Sequence, residues 1–239
     1  MKYFIKTFLP VLLLAGGLHA LECPPPEAFT VFETAPAPGP RITPYLRYQV
    51  ETAWRQDELR KVRLAAITDE SDFYSFQREL RNSLLENMGG LPGRKTPLNP
   101  RITGKIQMEG YRIEKLIFES LPGYHVSANL YVPDGRTSPG PAILVSLGHS
   151  PIAKTHPVYQ SICARLAKRG YVVITWDPVG QGERSQFWDE KNGRSRYNRV
   201  CGEHAVAGNL AYLAGASLVR WMVWDGIRAH DYLLTRPEV

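Results

Sequence analysis

The sequence predicts an α/β fold in which antiparallel strands come first and a parallel strand–helix–strand unit follows. Residues 104–132 alternate between polar and apolar side chains, with turns at Gly110 and at residues 122–123. Two continuous apolar runs, 142–147 and 171–176, come next. Alternation indicates a sheet with one covered face, whereas continuous apolar runs indicate parallel strands covered on both faces.

The first twenty residues have the composition of an export signal. Lys2 and Lys6 provide a basic start, residues 8–15 are apolar, and residues 16–20 are mostly small. The apolar run is shorter than the roughly 20 residues that a membrane-spanning helix needs. We therefore predict a signal peptide over residues 1–20 and an exported protein, periplasmic or secreted, with no membrane span after cleavage. An uncleaved N-terminal anchor is the alternative.

Composition bounds the protein class. The chain has 239 residues, of which 44% are hydrophobic, and this length is enough for a sizeable core. These values exclude a wholly disordered or fibrous protein. Three cysteines, Cys23, Cys163 and Cys201, are too few for a disulfide-rich scaffold. A bridge between Cys163 and Cys201 stays open at this point, as does the oligomeric state.

Before the strands, the sequence predicts a linker and a helical extension. Residues 21–46 are rich in proline and are expected to be an extended linker. Charges interleave with leucines over 47–66 and 71–88, which predicts two helices in an N-terminal extension, 47–100, that carries no chemistry of its own.

Two further helices are predicted beyond the meander. The helix over 159–169 ends at Gly170 and joins the two apolar strands. Residues 210–234 are predicted to form one long helix that Pro237 stops.

Candidate site residues follow the two apolar strands. Ligands of open α/β sheets bind at the carboxyl ends of the strands, which here lead into residues 148–154 and 177–185. Gly180 and Gly182 permit a positive φ, and the polar groups of Asp177 and Ser185 can hold the second loop through local hydrogen bonds.

Several segments, in this order, resemble one family. They are AILVSLGHS (142–150), LAKRGYVVITWDPVGQGERSQ (166–186) and WDGIRAHDYLLTRPEV (224–239), and residues 86–135 are also similar. Together they resemble the α/β hydrolases, and more narrowly the branch of acetyl xylan esterases and cephalosporin deacetylases, over residues 47–239. The resemblance implies a serine carboxylesterase that deacetylates carbohydrate or a similar ester and needs no cofactor.

The resemblance also implies roles for the two loops. A backbone N–H after the first apolar strand, from His149 or Ser150, would enter the oxyanion hole. The second loop would form a wall of the acyl pocket, and a tight strand-to-helix connection is its structural alternative. The residues of this candidate wall are Asp177, Gly180, Gly182, Ser185, Phe187 and Trp188.

No Gly-x-Ser-x-Gly nucleophile elbow occurs in the chain. In the family, a strand and this elbow follow the helix that here ends in RPEV. We therefore expect residues 101–239 to be the N-terminal half of the hydrolase core, with the Ser-Asp-His triad beyond Val239, and we expect the chain to be inactive alone. In the family's strand order, residues 142–147 would then be an exposed sheet edge.

Three other classes are less well supported. Gly180-x-Gly182 is only a fragment of a nucleotide-binding motif, and the histidines lack the spacing of a metal site. A basic stretch interleaved with Phe187, Trp188 and Tyr197 could bind RNA or an acidic polysaccharide, although export argues against nucleic acid. Its arginines are Arg184, Arg194, Arg196 and Arg199. A non-catalytic carbohydrate-binding or remnant protein remains the alternative to the esterase.

Overall fold

The computed structural model describes residues 25–29, 44–198 and 200–239. The predicted signal peptide and most of the predicted linker lie outside these residues. The chain divides into two compact units, residues 1–66 and 67–239. The domain limits predicted at residues 46 and 100 stay predictions.

The described part of the first unit is helical. A 3-10 turn occupies Pro26–Phe29, and helix α1 spans Pro44–Ala65 with no buried side chain. Two ion pairs, Asp57–Arg60 and Glu58–Lys61, join residues one turn apart on the surface of this helix, each with an N···O distance of 2.7 Å. Such pairs add only tenths of a kcal/mol, about 0.2–0.5 each.

A five-stranded mixed sheet forms the centre of the second unit. Its strands are β1 Arg101–Met108, β2 Tyr111–Leu121, β3 Tyr124–Pro133, β4 Ala142–Val145 and β5 Val172–Trp176. They lie in the order β1-β2-β3-β5-β4. The first three strands and β5 pair antiparallel, whereas β4 and β5 pair parallel. This arrangement confirms the predicted fold class.

Two helices cover opposite faces of the sheet. Helix α3, Pro157–Lys168, packs on the face that contains Tyr111 and Ile113 of β2. Helix α5, Leu218–Leu233, packs on the opposite face with Leu116 and Phe118. Successive residues of a strand point to opposite faces, so alternate side chains of β2 lie in the two cores on either side of the sheet.

Strand β4 lies at the edge of the described sheet, as predicted, and within the described ranges its one partner strand is β5. All five residues of β5 are buried because that strand lies between β3 and β4. Leu144 of β4 is 37% exposed. Two similar apolar runs thus differ in burial because of their position in the sheet.

The prediction of one helix over 210–234 is wrong. Helix α4, Cys201–Leu213, ends before Gly215, which has a φ of +71°, and α5 begins after Ser217. The Ser217 hydroxyl accepts a hydrogen bond from the Val219 N–H at 3.3 Å and caps the new helix. A left-handed glycine followed by a capping serine separates the two helices.

The C-terminal end of helix α2, Glu70–Asn87, packs against the turn between α4 and α5. The Ser217 N–H donates to the Met88 carbonyl at 3.2 Å. A Cβ at Gly89 would lie 2.7 Å from the Gly215 carbonyl oxygen, so the contact requires glycine. Within the described ranges, no helix is both long and apolar enough to cross a membrane.

Candidate functional site

The loops that follow β4 and β5 meet at one edge of the sheet, because parallel neighbouring strands end on the same side. The Ser150 N–H donates to the Gln181 side-chain carbonyl at 2.7 Å. The Lys154 N–H donates to the Asp177 carboxylate at 3.1 Å. The sequence predicted the two loops, and the structure shows that they are bonded to each other.

Asp177 is the buried centre of this contact. It is fully buried and accepts hydrogen bonds from the Ser127 hydroxyl at 2.8 Å and the Glu183 N–H at 3.1 Å. The Lys154 ammonium lies 2.5 Å from Asp177 and 2.5 Å from Glu183, and is itself buried. A buried carboxylate needs such compensation, so Lys154, which the sequence did not single out, balances the charge of Asp177.

The two glycines of this loop permit close packing. Gly182 has a φ of +55°, and a Cβ there would lie 2.5 Å from Cγ of Asp177. Gly180 has a φ of +77°, and its Cβ would lie 3.0 Å from the His204 ring. Glycine is therefore required at Gly182 by both conformation and space.

Helix α4 holds the loop from the other side. Glu203 is fully buried and accepts hydrogen bonds from the Ser185 and Ser195 hydroxyls and from the Gln186 N–H. Burial alone would raise the pKa of Glu203, but these donors hold it below the ordinary value. His204 Nε2 lies 2.7 Å from the Val179 carbonyl, so Nε2 carries the proton and donates.

The Arg184 side chain is buried and does not belong to the basic surface stretch that the sequence suggested. Its guanidinium pairs with Asp225 of α5 at 2.6 Å, donates to the Asp177 carbonyl, and lies 5.0 Å from the Tyr124 ring centroid. Arg184 and Asp225 are both buried. Burial raises the pKa of Asp225, and the Arg184 charge opposes that rise.

The two oxyanion candidates differ in the state of their backbone N–H groups. The Ser150 N–H is bonded to Gln181, and its hydroxyl is buried without a partner among the described residues. The His149 side chain is exposed, and its ring lies 5.0 Å from the His204 ring. Within the described chain, the His149 N–H makes no hydrogen bond.

The candidate pocket residues divide into a buried layer and a cleft. Asp177 and Gly180 lie in the buried layer. Gly182, Ser185 and Trp188 line a cleft of about 450 Å³ together with Glu183. The Phe187 ring instead meets the Tyr197 ring edge-on at 5.0 Å. Trp188 begins a short hairpin formed by β6, Trp188–Asp189, and β7, Arg194–Ser195.

The cysteines are unpaired in the described structure. Cys163 is a buried residue of α3, where burial raises the pKa of its thiol to about 11, and Cys201 is exposed at the start of α4. Cys23 lies outside the described residues. Among those residues, no group of three or more His, Cys, Asp or Glu side chains is arranged to hold a metal ion.

The mixed sheet and a family comparison together identify the chain as an α/β hydrolase. The chain belongs to the abhydrolase family, whose model matches residues 49–233. The α/β-hydrolase resemblance in the sequence is thereby confirmed. No curated protein matches the chain.

Solved structures share the fold. A protein from Bacteroides fragilis assigned to the acetyl xylan esterases is 23% identical, with a TM-score of 0.58 over 72% of this chain and 46% of its own. The methylesterase BT1017 is 20% identical, with a TM-score of 0.54 over 73% of this chain and 35% of its own. The chain thus spans less than half the length of these relatives.

Proposed function

We propose that this chain belongs to an exported serine carboxylesterase that deacetylates acetylated carbohydrate or a similar ester. The carrying observation is the bond between the Ser150 N–H and Gln181. It fixes the loop after β4 against the loop after β5 and leaves the preceding N–H, that of His149, without a partner in the described chain. Ester cleavage by acyl transfer needs such a fixed donor beside the developing oxyanion.

In this proposal, His149 supplies the oxyanion donor from the β4 loop. Ser150 positions that donor, because its own N–H is committed to Gln181. Gln181 is held in turn by the turn between Gly180 and Gly182, which packs on Asp177 and His204. The donor would thus be preorganised before substrate arrives, which is the condition under which a hydrogen bond contributes most to the transition state.

The cleft beside Gly182 would receive the acyl group or the sugar that carries it. Trp188 is 44% exposed at its rim and offers a flat apolar surface. Ser185 at its wall is not free to attack a carbonyl, because its hydroxyl donates to Glu203. We assign Ser185 to support of the wall.

The nucleophile in this proposal lies on a strand that pairs with the free edge of β4. The chain has no Gly-x-Ser-x-Gly, and its Ser217 is a helix cap. The edge of β4 is the position at which the described sheet can accept another parallel strand. A serine after such a strand would attack the ester carbonyl, and water would later release the acyl group.

The test compares the protein encoded by the complete reading frame with residues 1–239 alone, using p-nitrophenyl acetate and acetylated xylan. The longer protein is expected to hydrolyse both, and residues 1–239 neither. Ester turnover by residues 1–239 would overturn this placement of the nucleophile. An inactive longer protein that is folded would overturn the esterase proposal itself.

Two substitutions at one position test the oxyanion donor. His149→Pro removes the N–H, and kcat of the longer protein is expected to fall about 100-fold or more, as for loss of an oxyanion donor. His149→Ala keeps the N–H and removes only the side chain, so kcat should stay within about threefold of the parent. Equal kcat values for the two variants would reject His149 as the donor.

A further inference from the structure

The β6–β7 hairpin carries a second cleft, of about 510 Å³, that has no role in the acyl-transfer proposal. Its volume is within the range of small-molecule sites, about 300–1,000 Å³. Polar side chains dominate its lining. They include Arg194, Arg196, Asn192, Asn198, Asp189 and Tyr197.

Among the described residues, neither arginine of this cleft is paired with a carboxylate at contact distance. Neither Arg194 nor Arg196 makes a side-chain hydrogen bond or an ion pair with any described residue, in contrast to the buried Arg184, which pairs with Asp225. The carboxylate in the lining, Asp189, accepts from the Asn192 side chain at 2.8 Å and from its N–H at 3.2 Å. Asp189 therefore makes its hydrogen bonds within the hairpin turn. These bonds, and the more distant charge of Arg196, lower the pKa of Asp189.

The backbone of the cleft is held in place by the rest of the unit. The buried Ser195 hydroxyl donates to Glu203 of α4, and the Arg196 N–H donates to the Phe187 carbonyl at 2.8 Å. The Tyr197 ring packs edge-on against Phe187 and remains 43% exposed. The guanidinium groups thus extend from a fixed backbone, which reduces the entropy lost when a ligand binds.

The lining selects a ligand that combines a carboxylate with hydroxyl groups and a flat apolar face. Guanidinium groups bind carboxylates through paired hydrogen bonds. Asparagine side chains can both donate to and accept from hydroxyl groups. A nucleic acid fits less well, because its affinity comes from many phosphate contacts and the described lining of this cleft holds two cationic side chains.

We propose that the hairpin cleft binds uronic-acid units of an acidic polysaccharide, with Arg194 and Arg196 on the carboxylate, Asn192 and Asn198 on the hydroxyls, and Tyr197 against the sugar ring. This binding site is additional to the ester-cleaving loops and does not depend on the esterase proposal. Through Glu203, which bonds both Ser195 and Ser185, the cleft is joined to the wall of the acyl pocket.

The experiment measures binding of trigalacturonic acid to the full chain by calorimetry, with xylotriose as the neutral probe. Trigalacturonic acid is expected to bind at least tenfold more tightly than xylotriose. Arg194→Gln and Arg196→Gln should each weaken it at least tenfold. Lys191→Gln makes the same charge change in the same hairpin, outside the cleft lining, and should leave binding within twofold.

Three results would overturn the proposal. Equal binding of the two sugars would exclude carboxylate recognition. Equal losses of affinity for trigalacturonic acid in Lys191→Gln and Arg194→Gln would show that binding depends on the net charge of the hairpin and not on this cleft. Tighter binding of a single-stranded oligonucleotide would assign the cleft to nucleic acid. Circular dichroism checks that each variant is folded. Because no ester is cleaved in this assay, failure of the esterase proposal leaves its outcome unchanged.

Discussion

Replacing Gly182 by alanine tests whether the loop after β5 depends on its contact with Asp177. Gly182 has a φ of +55°, and an added Cβ would lie 2.5–2.6 Å from three atoms of the Asp177 carboxylate. Gly193 has a similar φ of +58° and nothing within 4 Å of its Cβ position. The pair therefore separates backbone strain from the steric clash.

The expected magnitudes follow from this difference. A left-handed alanine costs about 1 kcal/mol, which is the full expectation for Gly193→Ala. In Gly182→Ala, the carboxylate must also move away from donors such as the Ser127 hydroxyl and the Lys154 ammonium. Loss of one hydrogen bond to a buried charge costs about 2 kcal/mol more. We expect Gly182→Ala to lower the free energy of unfolding by about 3 kcal/mol.

Urea unfolding followed by tryptophan fluorescence measures both variants. With a slope near 2 kcal/mol/M, the midpoint of Gly182→Ala should lie about 1 M below that of Gly193→Ala. Equal midpoints would refute the reasoning, because the packing of Gly182 on Asp177 would then have no energetic weight. A large loss in Gly193→Ala would show that strain alone is responsible.

Three further predictions concern buried polar groups. Lys154→Met should cost about 3–5 kcal/mol in urea unfolding because it leaves Asp177 without its cation, and adding Asp177→Asn should recover part of that loss. Burial opposes ionisation of Glu203, but its hydrogen-bond donors outweigh burial and lower its pKa. The ionised carboxylate therefore contributes fully to the free energy of unfolding above the ordinary pKa of 4.5. This contribution is lost as the pH falls through the lowered pKa. Glu203→Gln should therefore reduce stability at neutral pH and flatten the decline in acid, as followed by thermal melts from pH 7 downward; an unchanged acid limb would contradict this. Iodoacetamide should modify Cys201 in the folded protein and Cys163 only after unfolding, as mapped by mass spectrometry, because Cys163 is buried; rapid labelling of both would count against the fold.

Local patterns were enough to predict most of the strands. The alternation over 104–132 and the two apolar runs correspond to β1–β3, β4 and β5, since side-chain period and chain punctuation are local properties. The helix over 210–234 was mispredicted because apolar residues continue across Gly215 and Ser217. The chain there turns because α2 docks on the break, through the bond from Ser217 to Met88.

The candidate site was only partly visible in the sequence. His149, Ser150, Asp177 and the two glycines could be found because they follow apolar strands. Lys154 and Glu203 could not, because isolated charged residues in a loop or a helix give no local signal of burial. Gln181 lay between the two glycines already singled out, and that position was the one available clue to its role.

The sequence by itself determined the fold class, the two loops at the strand ends and the absence of a Gly-x-Ser-x-Gly elbow, because each depends on neighbouring residues. Tertiary structure decided which polar groups form buried hydrogen bonds and ion pairs and which remain exposed. Ser150 bonds to a residue 31 positions away and Arg184 to one 41 positions away. The burial of Arg184 and the exposure of Arg194 and Arg196 arise from packing between distant segments, which local propensity does not encode.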